Sequence, residues 1–539
     1  MIPSAFSRRL LPSTVAGLFL AAVAAAQEPT PPAGGESGVQ ELTRGPVHEA
    51  FGQPSQFNPQ PGEVVAKAPP EAVEELPPDQ KPEGDDVRWI PGYWHFDDEA
   101  KDFMWVSGFW RNIPPGRTWV PGYWNKTADG HQWVSGFWSS TTATEAVYLP
   151  APPETLEAGP AGEMPAADNV WMSGVWMWRD TRYLWRPGYW SAGNPNWVWS
   201  APHYDWTPNG YMYVDGYWDY PIQQRGLLFA PVIFGNRLRP GFVYTPSVYI
   251  DPGLLALNLF ARPRYGHYYF GDYYAANYAS AGIYPWFAFS NTRLGYDPLY
   301  NYTAASYAST NPNWQTDQRA AYYARQKNAD ARPPRTFAAQ RELAKRADAA
   351  EAQNLVLARA LADVSAAKTS SVTLVKVDAT QAKAQQTQAV EYRKLTTERV
   401  KSEQAAGGTA RTEPARVKWT APASVAAPAS VKAKAPPAAP KQPEAVAHDP
   451  ATAKPPARTL PRPEDVLKPD FTRPNPGREP TPKDPTVPKN PLPKEPVVPK
   501  NPPVVNPPVP TPKTPAPAVT PPVPKNPAPK PKGNPKDKD

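Results

Sequence analysis

WVPGYWNKTADGHQWVSGFW, Trp119 to Trp138, sets two copies of one pattern fourteen residues apart. Each copy reads W-x-x-G-x-W. Aromatic and β-branched residues around a glycine at a fixed place favour strand over helix. The connector holds Asp129-Gly130, which is turn chemistry. A loop of Thr127-Ala128-Asp129-Gly130 sets Trp124 opposite Trp133, and the same register sets Trp119 opposite Trp138. Two aromatic pairs would then zip one antiparallel hairpin, each adding about 0.5–1.5 kcal/mol beyond burial.

The pattern recurs on both sides. It reads WIPGYW at Trp89, Gly92 and Trp94, and WVSGFW at Trp105, Gly108 and Trp110. The copies first quoted hold Trp119, Gly122 and Trp124, then Trp133, Gly136 and Trp138. WMSGVW places Trp171, Gly174 and Trp176, and WRPGYW places Trp185, Gly188 and Trp190. Trp199 opens a decayed copy, WSAPHY, and Tyr213 opens YVDGYW with Gly216 and Trp218. The copies start fourteen residues apart except twice: the step from 89 to 105 is sixteen, and the step from 133 to 171 is thirty-eight and holds a Pro/Ala/Glu-rich insert. Loop register extends the pairing to Trp110 with Trp119 and Trp105 with Trp124 around Ile113–Gly116. It also pairs Trp176 with Trp185, Trp178 with Tyr183, Tyr204 with Tyr213 and Trp206 with Tyr211. The expectation is an antiparallel meander with aromatic ladders.

Trp119 and Trp124 are five apart, so a straight strand would face them to opposite sides. A bend at Pro121-Gly122 turns both to one side, since proline breaks a ladder bond and glycine permits a bulge. A two-residue turn pairing Trp119 directly with Trp124 ranks lower, because type II turns mismatch hairpin twist and the strands would shrink to about four residues.

These units resemble the W-x-x-G-x-W (YXWGXW) repeat family of exported bacterial proteins, over about 130 of the 539 residues. The resemblance implies an exported envelope protein. It brings no catalytic residues to carry over.

Composition frames the rest. Proline is 76 residues of 539 and hydrophobic residues are 40%, so much of the chain cannot bury a core of its own. Of 20 tryptophans, seventeen lie between Trp89 and Trp218. Cysteine is absent, which excludes disulfides, thiolate metal sites and cysteine nucleophiles. Arg8-Arg9, an apolar run Leu10–Ala24 and an A-x-A site at Ala24–Ala26 form a signal-peptide pattern, too short to span a membrane. The expected division is a signal peptide over 1–26, a disordered Pro-rich linker over 27–87 and a repeat β domain over 88–220. A Tyr-rich β extension over 221–315 follows, with LLFAPVIF (Leu227–Phe234) and FVYTPSVYI (Phe242–Ile250) forming a hairpin. Helices rich in Ala, Gln, Lys and Glu fill 316–406, at Phe337–Val364 and Asp378–Ala406. A disordered Pro/Lys-rich tail spans 407–539. The fold class is mainly β with a C-terminal helical segment.

No pair among the six histidines has metal-ligand spacing, and no nucleophile elbow, phosphate loop or dinucleotide fingerprint sits in its required context. Neither cofactor nor catalytic or metal-binding residues are expected. The reading is a non-catalytic structural or scaffolding protein of the envelope, periplasmic, surface-held or secreted. The alternative is a glycan- or peptidoglycan-binding protein using exposed aromatic faces, with Trp94, Trp110, Trp124 and Trp138 as the candidate rings. Expected partners are cell-wall glycan or another envelope protein. Nucleic acid is not expected despite the net charge of +7, nor is a transmembrane span after signal removal.

Overall fold

The computed structural model describes residues 38–84, 86–235, 241–346, 355–366, 372–404, 411–418, 436–448 and 460–468. The signal-peptide pattern and residues 469–539 lie outside them. The described protein is mostly short antiparallel strands, with helices toward the C-terminal part.

The eight repeat copies fold as four doublets. In the second, Tyr123–Thr127 and Gly130–Val134 form an inner hairpin with Trp124 opposite Trp133. Arg117–Val120 and Phe137–Ser140 form an outer pair with Trp119 opposite Trp138. Inner and outer pairs are separate small sheets, because the ladder stops at Pro121-Gly122 and at Ser135-Gly136. The first doublet pairs Trp94 with Trp105 inside and Trp89 with Trp110 outside. The third pairs Trp176 with Trp185 and Trp171 with Trp190. In the fourth, Tyr204 faces Tyr213 and Trp199 faces Trp218. Ring centroids in these eight pairs lie 5.0–5.5 Å apart, mostly edge to face.

The meander is therefore corrected in one respect. Trp110 does not pair with Trp119, nor Trp105 with Trp124; each finds its partner inside its own doublet. Ile113–Gly116 joins two doublets and is not a hairpin loop. The long insert also falls between doublets and leaves each intact. The sixteen-residue step comes from the first inner hairpin, which turns over Asp98–Lys101 where the second turns over Ala128-Asp129.

The stretch expected as disordered linker is ordered from residue 38 onward and packs on the repeats. Val39–Glu41 adds to Val232–Phe234, which touches the first inner hairpin at Trp105. Gly226–Leu227 adds to the outer strand Phe109–Asn112. The expected hairpin of Leu227–Phe234 with Phe242–Ile250 survives only around Phe229 opposite Tyr249. The Tyr-rich segment contributes the sheet Leu259–Arg262, His267–Phe270 and Tyr284–Pro285 with Gly45–Pro46. Its rings join Trp89, Trp110, Trp119 and Trp138 in one aromatic core. Of the first expected helix, the described residues form a helix at Phe337–Arg346, a strand at Ala358–Ala360 and a short helix at Leu361–Ala366. The second runs Ala379–Gln404 and buries Tyr392, Leu395, Arg399 and Glu403. Part of the expected tail is ordered too. Ala415–Lys418 pairs with Glu145–Leu149, and Val446 bridges to Trp185. Read alone, these Pro-rich pieces have too little apolar surface to fold; they are ordered by a surface the repeats supply.

Candidate functional site

Where a ladder stops, backbone N–H and C=O groups lose their strand partners and need others. In the first doublet the gap is closed by Glu75. Gly92 N donates to its Oε2 at 2.8 Å, and Gly108 N and the Trp105 indole Nε1 donate to its Oε1 at 2.9 and 2.7 Å. In the second, Glu49 takes this place: Trp133 Nε1 donates to Oε1 at 2.9 Å and Gly136 N to Oε2 at 3.0 Å. In the third it is Glu157, which accepts from Trp171 Nε1 at 3.3 Å, from Gly159 N at 2.7 Å and from Gly174 N. All three glutamates are buried. The fourth doublet has Pro202 in place of one glycine, hence no N–H there, and among the described residues no glutamate is bonded to its Gly216.

The same geometry explains the glycines. A Cβ on Gly92 would lie within 3 Å of the Trp105 ring, and one on Gly108 within 3 Å of the Trp89 ring. Gly122 and Gly136 stand likewise against Trp133 and Trp119, Gly174 and Gly188 against Trp185 and Trp171, and Gly216 against Trp199. Each glycine seats the leading tryptophan of the partner copy. The two copies of a doublet are thus reciprocal.

Burial drives the Glu49 carboxyl up to about 8 and the Glu75 carboxyl up to about 7, while their N–H donors pull the other way. Burial also raises the Glu157 carboxyl. The second doublet is held from a further element as well. Arg399 of the long helix donates through Nη1 to the Pro121 and Ser135 carbonyls, both at 2.9 Å, and through Nε to Glu403 at 2.8 Å. Its guanidinium lies over the Tyr123 and Phe137 rings, 5.3 and 5.1 Å from their centroids.

Indole N–H groups also hold extended, Pro-rich segments by their carbonyls. Trp94 Nε1 donates to Glu71 O at 2.8 Å and Trp176 Nε1 to Glu154 O at 2.9 Å. Trp190 Nε1 donates to Ala161 O at 3.1 Å and Trp218 Nε1 to Ala438 O at 3.2 Å. The first two acceptors sit in near-identical stretches, APPEAVEE (68–75) and APPETLE (151–157).

A cavity of about 390 Å³ lies between the first two doublets beside the long helix. Tyr93, Trp94, Tyr123 and Trp124 line it, with Glu49 and Arg393 at its polar edges. Behind Glu49, His48, His95 and His267 are buried. Tyr93 Oη meets His267 Nε2 at 2.7 Å, and His95 Nε2 meets Tyr269 Oη at 2.5 Å. Burial lowers His48 and His267 to about 3 and lowers His95 as well, so the rings are neutral. Among the described residues no group of three or more His, Asp or Glu is placed to hold a metal ion, and no helix is long and apolar enough to cross a membrane.

Of the four rings proposed for glycan stacking, Trp94, Trp110 and Trp138 are buried and Trp124 is half-buried. Fourteen of the nineteen described tryptophans are buried and the other five are half-buried, so none is fully exposed. The residues sequence reasoning missed are Glu49, Glu75, Glu157 and Arg399. The signal for two of them is the recurrence of APPE followed within four residues by a further glutamate, once in the stretch read as linker and once in the Pro/Ala/Glu-rich insert.

A sequence-family profile described as WXXGXW repeat (2 copies) matches residues 84–111, 118–138 and 170–191. The chain carries WXXGXW repeats. Each matched stretch is one doublet, so the two-copy unit of the profile coincides with the structural unit; the fourth doublet, with Pro202, falls outside the match. No curated protein matches the WXXGXW chain. No solved structure matches it either.

Proposed function

We propose that this WXXGXW repeat protein is a non-catalytic scaffold of the cell envelope, exported by the signal-peptide pattern at residues 1–26. The observation that carries the reading is the inward turn of the tryptophans: with none of the described rings exposed, the repeats serve as an interior. The glutamates fit the same role, since Glu49, Glu75 and Glu157 already accept N–H donors from the motifs. Of the four candidate rings of the glycan-binding alternative, only Trp124 is left half-buried. Fractionation of cells expressing the full chain tests export: the scaffold reading expects cleavage before Gln27 and recovery in the envelope fraction. Incubation of the purified chain with isolated cell-wall polysaccharide tests the alternative. The scaffold reading expects no retention and no tryptophan quenching; retention with quenching would favour the glycan-binding protein.

A further inference from the structure

The three filled gaps have one key and two kinds of tether, a short one used twice and a long one. Glu75 reaches its doublet from 17 residues before Gly92, and Glu157 from 17 residues before Gly174. Glu49 comes from 84 residues before Trp133, across the whole first doublet. Ala438 and Val446 reach Trp218 and Trp185 from the opposite direction, 220 and 261 residues further along the chain. The gap therefore does not depend on a particular covalent connection. It depends on what the arriving segment presents.

The segments share their chemistry. Each contains proline, and its glutamate follows a proline by three to five residues: Pro46 to Glu49, Pro70 to Glu75, Pro153 to Glu157. Those bearing Glu75 and Glu157 arrive without a turn, whereas Glu49 is presented from a turn closed by Phe51 N on His48 O. In the first and third doublets a carbonyl three or four residues before that glutamate accepts an indole N–H. An extended Pro-rich peptide loses little conformational freedom on docking, and an aromatic surface with an indole donor suits it. In all three doublets an indole N–H and the glycine amide three residues after it converge on one carboxyl group, and in the first doublet Gly92 of the other copy joins them, which favours a carboxyl side chain over a single-oxygen acceptor.

We propose that the WXXGXW doublet is a peptide-recognition element, able to take a proline-bearing segment with a buried glutamate from another polypeptide as it takes one from its own chain. This deepens the scaffold reading, giving the scaffold a means of joining chains, and it rests on that reading for the biological setting. The two can fail separately, since the test below concerns peptide binding and not export or glycan.

The test uses the full-length chain with residues 68–76 replaced by a Gly/Ser run of equal length, and a synthetic peptide of residues 68–78. The replaced chain is expected to melt several degrees below the parent, and to regain that loss on adding the peptide. Tryptophan fluorescence titration is expected to give one-to-one binding, with the parent showing none because its gap is filled. A peptide carrying Glu75→Ala is expected to bind at least tenfold more weakly. A folded replaced chain that ignores the peptide, or that binds the alanine peptide equally, overturns the proposal. If the replaced chain does not fold, refolding is attempted with excess peptide, and the experiment is repeated on the third doublet with residues 151–157 replaced and a peptide of residues 151–160. Failure of both peptides to bind or to restore folding likewise overturns it.

Discussion

A methyl group on Gly136 would sit within 3 Å of the Trp119 ring, the Val120 carbonyl and the Gly122 amide nitrogen. Two of those neighbours are backbone, so relief would require the doublet to open. Gly136→Ala is expected to lower stability by about 1–3 kcal/mol, as overpacking of a tight interior does. Gly235→Ala, whose Cβ would meet only the Gly38 carbonyl at 3.5 Å, should change it by no more than about 0.5 kcal/mol. Urea melts of the two variants check the contrast; equal midpoints would mean that the glycine is not there to seat the ring. The glutamate is the complementary case. Glu75→Ala leaves the Gly92, Gly108 and Trp105 donors without their acceptor. A buried donor left unpaired costs about 1–3 kcal/mol, so the loss should be at least about 2 kcal/mol. Unchanged thermal unfolding would show that water replaces the carboxylate without penalty.

The long helix Ala379–Gln404 shows how an element of marginal propensity becomes fixed. Its sequence has no clean apolar stripe, and it is anchored by buried Tyr392 and Leu395, by Gln385 Oε1 accepting from Trp89 N at 3.0 Å, and by a buried pair, Arg399 with Glu403, joined by Tyr123 Oη donating to Glu403 at 2.7 Å. Arg399→Leu removes the donor to the Pro121 and Ser135 carbonyls and strands a buried carboxylate, which should cost about 3–5 kcal/mol. Glu403→Leu should be similarly severe, while the double variant should be milder than the sum, with a coupling of about 0.5–3 kcal/mol. Additive losses in that double-mutant cycle would mean that each residue acts alone. The hairpins, by contrast, were legible in the sequence. Trp124 opposite Trp133, and Trp178 opposite Tyr183, follow from turn chemistry and loop length, which are local. What the sequence left ambiguous was phase: a fourteen-residue step allows each copy to pair forward or backward. The thirty-eight-residue gap held the answer, since an insert between doublets leaves every aromatic pair intact. Glu49 and Arg399 were not legible, because each meets its doublet through contacts remote in sequence; Glu75 and Glu157 left only the recurring APPE, and an acid among prolines reads as solvated.

Across the whole molecule, buried ionisable groups oppose one another in pH. Glu75 and Glu49 have carboxyls raised from an ordinary 4.5 to about 7 and about 8, so the fold keeps protons that the unfolded chain has released. Their contribution is fully present below about pH 4.5 and is lost as pH rises through 7 and 8. Asp297, raised to about 6, acts in the same sense, as do the raised Glu157 and Asp205. The histidines act oppositely. His48 and His267 are lowered from 6.5 to about 3, and His95 is lowered too, so the unfolded chain binds protons that the fold refuses. Their contribution is present above 6.5 and lost as pH falls toward 3. Between about 4.5 and 6.5 the two sets largely cancel, whereas from 6.5 to 8 only the carboxyls titrate. Thermal unfolding followed from about pH 4 to about pH 9 should therefore show a broad optimum on the acid side of 7, with stability falling between 6.5 and 8. Glu49→Gln cannot titrate and should flatten the upper part of that alkaline fall, whatever it does to the absolute melting point. A melting temperature that climbs steadily from pH 6.5 to 9 would mean that Glu49 and Glu75 are ionised in the fold at neutral pH, their N–H donors outweighing burial.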